Sequence, residues 1–314
     1  MRNVLSIIRG ILFNQEKRFF YLRKIGIYDY LDDKTYLSKL YKSKFRKDIK
    51  WDNPQSFNEK LQWLKVNDRK QVYTKMVDKY EAKKYVADRI GTEYIIPTLG
   101  VWANFDEIDF NSLPDQFVLK CTHDSGGLVI CKDKRKLDLK SSRRVLQKAI
   151  ENNYYLRGGR EWPYKNVPHK IIAEEYMADD KQTEGLIDYK FYCFNGTPKF
   201  LYVSKGMSNH KTAQIGFLNL EWKLEKFGRS DYLPLKEIPP RPQNFEKMID
   251  IASRLSKNIP FLRVDLYEIK GKIYFGELTF TPCGGLMPFD PPEADYEVGK
   301  LLDLEQCNAG INEQ

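Results

Sequence analysis

The sequence contains few of the residues that build disulfide frameworks and zinc sites. Its 314 residues include five cysteines, which are scattered and odd in number, and no two of them form a C-x-x-C pair. This pattern argues for reduced thiols in a cytosolic compartment and against a zinc site. The three histidines, at positions 123, 169 and 210, are not spaced to share a metal ion on one helix face. No Ser-His-Asp arrangement can be argued from their spacing.

A long hydrophobic run is also lacking, although the N-terminal segment is rich in apolar side chains. Arg9 and Gly10 interrupt this segment, so it is too short and too charged to span a bilayer. It also lacks the apolar core and small-residue cleavage site of a signal peptide. Two interpretations remain open: a helix that packs on the rest of the protein, and a basic amphipathic helix that lies on the inner face of an anionic membrane. We favour packing and a cytoplasmic location. The cations that support peripheral membrane contact are Arg2, Arg9, Lys17, Arg18, Arg23 and Lys24.

The net charge of +9 indicates anionic partners without naming their class. Nucleotides, phosphates, acidic glycans and anionic lipids all fit such a charge. The charge does not single out nucleic acid, and we expect no nucleic-acid partner. Hydrophobic residues make up 42% and charged residues 30%, which is ordinary for a soluble globular protein of one large or two to three smaller domains.

The first part of the chain has the hydrophobic spacing of helices. Ser56, three residues before Glu59, predicts a capping box at the start of one helix. A further helix is expected over about 73–90, ending at Gly91. From Glu93 onward, strand-like segments replace the helical pattern.

Two turn motifs stand out among these strand-like segments. A Gly-rich turn over residues 124–127 separates the segments QFVLKCTH and LVICK. Strand, turn and strand together have the shape of a flap whose backbone amides can close over phosphates, and Lys120 lies just before the turn. Further along, Asn195-Gly196 between two apolar runs predicts a tight β-hairpin.

The stretch over residues 261–280 looks like a hairpin with two acids on one face. With a three-residue loop, Asp265 is predicted to lie opposite Glu277 and Arg263 opposite Thr279, because a two-residue loop would mix the polar and apolar faces. Two opposed carboxylates repel each other unless something neutralises them. A divalent cation with hard oxygen ligands, such as Mg²⁺, is the natural candidate. The alternative is an ordinary sheet edge whose acids face solvent.

Taken in order, these motifs resemble the ATP-grasp superfamily, which includes the D-alanine–D-alanine ligases. The stretches that carry the resemblance are Asp78-Lys79, FVLKCTHDSGG, AEEYM, DYKFYCFNG, and RVDLY followed by GELTFTPCGG. Together with FNEKLQWLK, they are similar to the TupA-like group associated with teichuronopeptide and capsular polysaccharide synthesis. The resemblance covers roughly residues 50–290 and rests on the motifs as a set.

The resemblance implies an α+β ATP-grasp fold, in which two α+β subdomains grip ATP, preceded by a mainly helical N-terminal region. We therefore expect a helical region over residues 1–75 and a first subdomain with the Gly-rich flap over residues 76–178. A second subdomain with the metal-binding hairpin is expected over residues 179–314.

The resemblance also implies which residues bind the nucleotide. Lys79 and Lys120 would contact phosphates, the hinge around the two acids of AEEYM would hold the adenine, and Asp188 would accept hydrogen bonds from the ribose. Consecutive strand side chains point to opposite faces, so only one of the two hinge acids can face the cleft, and we favour Glu175. The residues expected to bind ATP are Lys79, Lys120, Ser125, Gly126, Gly127, Glu174, Glu175, Tyr176, Met177, Asp188 and Lys190.

The implied metal and catalytic roles are concentrated on the hairpin. Asp265 and Glu277 would hold Mg²⁺. Thr279 stands where the superfamily usually has an Asn ligand, which leaves open whether it binds the metal through its hydroxyl, through water or not at all. Arg263 would stabilise charge near the transferred group, and Lys120 is the second residue expected to act in catalysis.

The implied activity is an ATP- and Mg²⁺-dependent ligation of a carboxylate to an amine through an acyl phosphate. The expected partners are ATP, a uronic-acid-containing glycan or its precursor, and an amino acid or amine. A glycosyltransferase is one alternative, although the Asp-x-Asp triplet common in that class is absent from the sequence. A non-catalytic nucleotide- or glycan-binding protein is another, and Thr279 is the feature that favours it.

Overall fold

The structure is a computed structural model, and it describes residues 13–179, 186–206 and 212–305. The helices are α1 Gln15–Lys24, α2 Asp33–Phe45, α3 Phe57–Asn67, α4 Val72–Val77, α5 Glu81–Ile90, α6 Leu139–Ile150, α7 Tyr154–Arg157, α8 Phe245–Ser256 and α9 Ala294–Gly299. The strands are β1 Thr98–Trp102, β2 Phe117–Cys121, β3 Leu128–Cys131, β4 Ile171–Glu175, β5 Asp188–Phe194, β6 Thr197–Lys205, β7 Gln214–Asn219, β8 Gly228–Arg229, β9 Leu233–Pro234, β10 Phe261–Ile269, β11 Lys272–Thr279 and β12 Phe289–Asp290.

The predicted α+β class and the helical N-terminal region are confirmed. The first part of the predicted N-terminal helix, residues 1–12, lies outside the described residues. Within the described ranges, no helix combines the length and apolar character needed to cross a membrane. The capping box is also confirmed, since the Ser56 hydroxyl accepts from the Glu59 N–H and the Glu59 carboxylate accepts from the Ser56 N–H, both at 3.2 Å.

The single helix predicted over about 73–90 is wrong, because the chain breaks between α4 and α5. The Asp78 carboxylate accepts the backbone N–H groups of Tyr80 (2.8 Å) and Glu81 (3.3 Å), an Asx-turn arrangement that interrupts one helix and starts the next. At the break, the Lys79 N–H donates to the carbonyl oxygen of Thr122 at 3.1 Å. The break therefore ties Lys79 to the chain just before the Gly-rich turn.

The first sheet has the strand order β1-β4-β2-β3, and all its pairs are antiparallel. Helix α6 covers one face, where its Leu146 packs with Phe117, Leu119 and Ile171. Residues of β2 and β4 that alternate with these side chains, including Lys120, point to the opposite face. One face of the sheet is thus a hydrophobic core, and the other carries the polar groups.

The second sheet has the order β11-β10-β5-β6-β7-β9 and is antiparallel except for the short β7–β9 pair. Both of its faces are largely buried, one against α5 and α8 and the other against α3 and α9. The hairpin predicted at Asn195-Gly196 is confirmed, and both residues have the positive φ angles (46° and 79°) that a two-residue turn requires. The predicted domain boundaries at 75 and 178 stay a prediction, and α5 packs into the core of this second sheet.

The β10–β11 hairpin has the predicted pairing near its open end but not the predicted loop. Asp265 pairs with Glu277 and Arg263 with Thr279, as expected. The loop contains two residues, Lys270 and Gly271, with φ angles of 51° and 77°. A β-bulge between the Asp265 and Leu266 pairs, at Gly276, inserts the one residue that restores the predicted register.

Candidate active site

A cavity of about 190 Å³ lies between the cleft faces of the two sheets. Its walls come from both sheets, from the α4–α5 break, from α5 and from the Gly-rich turn. The predicted site residues that line it are Lys79, Lys120, Ser125, Gly127, Glu174, Lys190, Asp265 and Glu277. The fold therefore brings together, in one cleft, residues that are up to 198 positions apart in the sequence.

Glu174 lies between two lysines on the cleft side of the first sheet. Its carboxylate is 2.7 Å from the Lys83 Nζ and forms a second ion pair with Lys120. Lys83 also donates to the Ile96 carbonyl at 2.7 Å and to the Thr98 hydroxyl at 2.9 Å. Burial opposes ionisation of Glu174, but the two ammonium groups outweigh it and hold the pKa of Glu174 below its ordinary value. The cluster presents two cations to the cleft around one buried anion.

The preference for Glu175 as the cleft-facing acid is wrong. Glu175 is exposed and lies beside a surface depression with Leu99, Lys132 and Tyr176, on the other face of β4 from Glu174. The reason is the strand register: Glu174 pairs with Val118 and Glu175 with Phe117, whose ring is part of the α6 core. Neither Tyr176 nor Met177 lines the cleft cavity.

The Gly-rich turn is held together by Asp124, a residue that the sequence motif did not single out. The Asp124 carboxylate accepts the Gly127 N–H at 3.0 and 3.1 Å, and the Asp124 carbonyl accepts from the Lys79 ammonium. Ser125 and Gly126 are exposed at the tip of the turn. The inner end of the predicted flap is therefore fixed, and Ser125 at its tip lines the cleft cavity.

Asp265 is the most deeply buried acid of the cleft, and two cations hold it. Arg263 donates from Nε to Oδ1 and from Nη2 to Oδ2, both at 2.7 Å, and the Lys190 ammonium donates to Oδ2 at 2.7 Å. Burial raises the pKa of Asp265, but Arg263 and Lys190 overcome this effect and hold the pKa below its ordinary value. Asp265 is therefore ionised in the folded protein at neutral pH.

Asp188, predicted to bind the ribose, lies at the edge of the same cluster. One of its carboxylate oxygens is 3.4 Å from the Lys190 Nζ. Burial raises the pKa of Tyr267, and the nearby Asp188 carboxylate raises it further. Lys190 thus links Asp188 to Asp265, and the three polar side chains form one network along the cleft floor.

The predicted metal ligands fit a magnesium ion by chemistry. Asp265 and Glu277 are direct cross-strand partners, and each carboxylate oxygen has more than one lone pair, so the contacts of Asp265 with cations leave acceptor capacity. The Glu277 side chain is 41% exposed, and its carboxylate is 3.6 Å from Arg263. The Thr279 hydroxyl is buried and has no hydrogen-bond partner among the described residues. Within the described ranges, this site included, no group of three or more His, Cys, Asp or Glu side chains could hold a metal ion, so the protein would supply two carboxylates here.

The sequence patterns did not indicate two candidate functional residues, Lys83 and Arg229. Lys83 lies in the first turn of α5, whereas Lys79 belongs to the break before that helix, so helical spacing does not relate the two lysines. Arg229 is remote in sequence from the hairpin and carried no local signal. It lies with Arg263 within electrostatic range of the Tyr192 hydroxyl, which is buried without a hydrogen-bond partner in the part of the chain that the structure describes.

The family model described as TupA-like ATPgrasp matches residues 59–303, which is more than half of the chain. The chain belongs to the TupA-like ATP-grasp family. The match begins inside α3, continues through both sheets and the β10–β11 hairpin, and ends at residue 303, just after α9. The ATP-grasp fold implied by the sequence resemblance is confirmed by this family membership.

Solved structures that resemble this ATP-grasp chain include three from bacteria. The D-alanine–D-alanine ligase from Bacillus anthracis, complexed with ATP, is 14% identical, with 65% of this chain and 53% of that chain covered and a TM-score of 0.36. A phosphoribosylamine–glycine ligase from Thermotoga maritima is 12% identical, with 67% of this chain and 48% of that chain covered and a TM-score of 0.40. A RimK domain ATP-grasp protein from Sphaerobacter thermophilus is 9% identical, with 73% of this chain and 69% of that chain covered and a TM-score of 0.39. The chain spans about half the length of the first of these structures. No curated protein matches the chain.

Proposed function

We propose that this TupA-like ATP-grasp protein is an ATP-dependent carboxylate–amine ligase that works through an acyl phosphate. The observation that carries the proposal is the cleft, in which Lys79, Lys120 and Lys190 surround a cavity next to the opposed carboxylates of Asp265 and Glu277. A polyphosphate needs cations on several sides, because negative charge is spread over the phosphoryl oxygens during transfer. The proposed location is cytoplasmic.

The nucleotide is proposed to lie between the two sheets. Lys79 and Lys120 contact its phosphates from the first-sheet side, assisted by Lys83, and Lys190 contacts them from the second sheet. The Glu174 carboxylate positions Lys83 and Lys120. The remaining proposed contacts are the flap residues Ser125, Gly126 and Gly127, the backbone around Tyr176 and Met177 at the adenine, and Asp188 at the ribose.

Asp265 and Glu277, with Thr279 beside them, are the residues that would hold Mg²⁺ between the protein and the phosphates. The ion would supply positive charge where the phosphoryl group is transferred. Arg263 keeps Asp265 in place through its bidentate contact and presents its guanidinium between the two acids. These residues bind and orient the reacting groups, while Ser125 and Gly126 at the flap tip help to exclude water.

The reaction proceeds in two balanced steps. A substrate carboxylate oxygen attacks the γ-phosphorus of ATP, forming an acyl phosphate and releasing ADP. An amine then attacks the acyl carbon, an amide bond forms, and phosphate leaves with the electron pair of the broken C–O bond, while the proton lost by the amine nitrogen passes to the departing phosphate. Activation is needed because a carboxylate is a poor electrophile and has no good leaving group.

The proposed acceptor is a uronic acid of a surface polysaccharide or its precursor, joined to an amino acid or another amine. The carboxylate is proposed to bind near Arg263, whose cross-strand neighbour Tyr192 has a buried hydroxyl without a hydrogen-bond partner among the described residues. The net charge of +9 fits an acidic glycan. We also propose that the basic N-terminal segment contacts the inner face of the membrane.

The test is to incubate the protein with ATP, Mg²⁺, a uronic-acid oligosaccharide and pooled amino acids. Release of ADP and phosphate in equal amounts, dependent on both acceptor and amine, is the expected result. AMP and pyrophosphate would reject the acyl-phosphate route, and release of UDP from a UDP-sugar would favour a glycosyltransferase instead. Nucleotide binding without any turnover across a broad panel of carboxylates and amines would favour a non-catalytic binding protein.

A further inference from the structure

The large hydrophobic side chains most exposed to solvent are concentrated in one short segment. Tyr30 is 95% exposed, Phe13 83%, Ile25 71% and Ile27 53%, and no other large hydrophobic among the described residues is more exposed than these four. Phe20, in the same segment, is 49% exposed. Single exposed hydrophobics are ordinary on a protein surface, but a cluster such as this indicates a surface that another apolar phase covers.

The segment is nevertheless anchored to the folded protein. Phe19 is buried and stacks on Tyr28 at 4.7 Å between ring centroids, and it contacts the edge of Tyr36 at 5.6 Å. On the same side, Arg23 donates to the carbonyl oxygen of Gly158 at 2.9 Å. Helix α1 and the turn after it are therefore held by one side, and the exposed apolar side chains project from the remainder of their surface.

Basic side chains accompany the exposed apolar groups. Lys17, Phe20 and Lys24 are spaced i, i+3 and i+7, so they lie along one face of α1, away from the buried Phe19. Lys17, Arg18 and Lys24 are exposed, and none of them pairs with an acid in the ranges 13–179, 186–206 and 212–305.

The acids of this segment, by contrast, are neutralised by cations from elsewhere in the fold. Glu16 pairs with Lys44 at 3.0 Å, and both oxygens of Asp29 pair with the Arg157 guanidinium. The local charge that is left without a partner is therefore positive. The patch combines exposed apolar side chains with uncompensated cations.

We propose that this patch, comprising Phe13, Lys17, Phe20, Lys24, Ile25, Ile27 and Tyr30, docks on the surface of an anionic lipid bilayer. The end of α1 and the turn after it thus combine apolar side chains that can reach the acyl boundary with lysines that can meet anionic headgroups, which are the two components of interfacial membrane binding. The positive charge selects an anionic surface over a neutral one. The preceding residues 1–12, outside the described ranges, continue this composition in sequence, with apolar residues around Arg2 and Arg9. This inference does not depend on the ligase chemistry.

The test is co-sedimentation of the full chain with phosphatidylglycerol–phosphatidylcholine vesicles and with phosphatidylcholine vesicles, at low and high salt. Binding to the anionic vesicles that weakens with salt is expected. Lys17→Gln/Lys24→Gln should lower the partition coefficient by about thirtyfold. Ile25→Ser/Ile27→Ser should lower it by about tenfold or more. Nucleotide binding should be unchanged in both variants, because neither pair lies in the cleft.

Matched controls separate the patch from general effects. Lys140→Gln/Lys148→Gln removes two exposed cations of α6, and Leu233→Ser/Ile238→Ser removes two exposed apolar groups, so both should bind like the parent protein. No vesicle binding by the parent protein at low salt, or equal loss in the control variants, would overturn the proposal. It would also be overturned if sedimentation velocity without lipid found a dimer that Ile25→Ser/Ile27→Ser dissociates, since the patch would then contact a second copy.

Discussion

Asp265 and Glu277 face each other across β10 and β11, yet the side chain of Asp265 is 2% exposed and that of Glu277 41%. Asp265 is locked by Arg263 and Lys190, whereas the nearest described cation of Glu277, Arg263, is at 3.6 Å. The two acids occupy equivalent strand positions but have different roles. Asp265 is part of the buried polar network of the cleft, whereas the Glu277 carboxylate is partly open to solvent.

The first prediction follows from this difference. Asp265→Asn should lower the free energy of unfolding by about 3–5 kcal/mol, because it leaves Arg263 and Lys190 buried without their anion. Glu277→Gln should change it by less than about 1 kcal/mol, since an exposed ion pair contributes little. Both variants should lose ATP-dependent phosphate release. Denaturant titration and a phosphate assay provide the measurements, and full activity in Glu277→Gln would remove it from the proposed metal site.

The second prediction concerns the pH dependence of Glu174. Lys120 and Lys83 hold its pKa in the folded protein below the ordinary value of 4.5, so its ion pairs stabilise the fold fully above pH 4.5. This contribution is lost as the pH falls below 4.5 towards the folded-state pKa. Glu174→Gln should be less stable by about 1–3 kcal/mol at neutral pH, with a difference that shrinks in acid. Chemical denaturation over a pH series measures it, and a pH-independent difference would contradict the assignment.

The third prediction tests the bulge at Gly276. A Cβ atom there would lie 2.9 Å from the Tyr267 ring and 3.1 Å from the Asp265 carbonyl oxygen, so Gly276→Ala must displace one of them. The expected cost is about 1–3 kcal/mol, with a loss of turnover because the Asp265–Glu277 register is disturbed. Gly228→Ala is the control, since no heavy atom lies within 4 Å of its added methyl group. Thermal unfolding and ATP turnover should separate the two variants; equal behaviour would show that the bulge tolerates a side chain.

The fourth prediction separates the two glycines of the flap. At Gly127, a Cβ would lie 2.6 Å from both the Ala149 Cβ and the Cys121 Sγ, whereas at Gly126 its nearest neighbour is the Asp124 carboxylate at 3.7 Å. Gly127→Ala should therefore lower the free energy of unfolding by about 2 kcal/mol. Gly126→Ala should change it by less than about 0.5 kcal/mol. Denaturant titration measures both, and a larger effect at Gly126 would be the contrary result.

The helices and hairpins with strong local signals could be predicted from the sequence. The Ser56–Glu59 capping box and the Asn195-Gly196 turn depend on interactions between residues at most three positions apart, so the local sequence specifies them. The α4–α5 break escaped prediction because the apolar spacing continues through it, and because the Lys79 N–H that it releases donates to the carbonyl oxygen of Thr122, which lies far along the chain, just after β2.

The orientation of the hinge acids depended on tertiary structure. Glu174 and Glu175 are equivalent by composition, and only the pairing of β4 with β2, together with the position of Lys83 on α5, decides which one faces the cleft. The position of Arg229 within electrostatic range of Tyr192 likewise has no local signal, since the two residues come from different strands.

The β10–β11 hairpin shows most clearly which features the sequence determined and which ones depended on the tertiary structure. The sequence by itself determined that Asp265 opposes Glu277, because only that register keeps polar and apolar side chains on separate faces. It did not determine the turn, which has two residues and is compensated by the bulge at Gly276. The sequence also did not determine how the negative charges of the two opposed carboxylates are stabilised. Packing of β5 beside β10 brings Lys190 to Asp265, and burial in the cleft makes Arg263 and Lys190 the cations that keep that carboxylate charged.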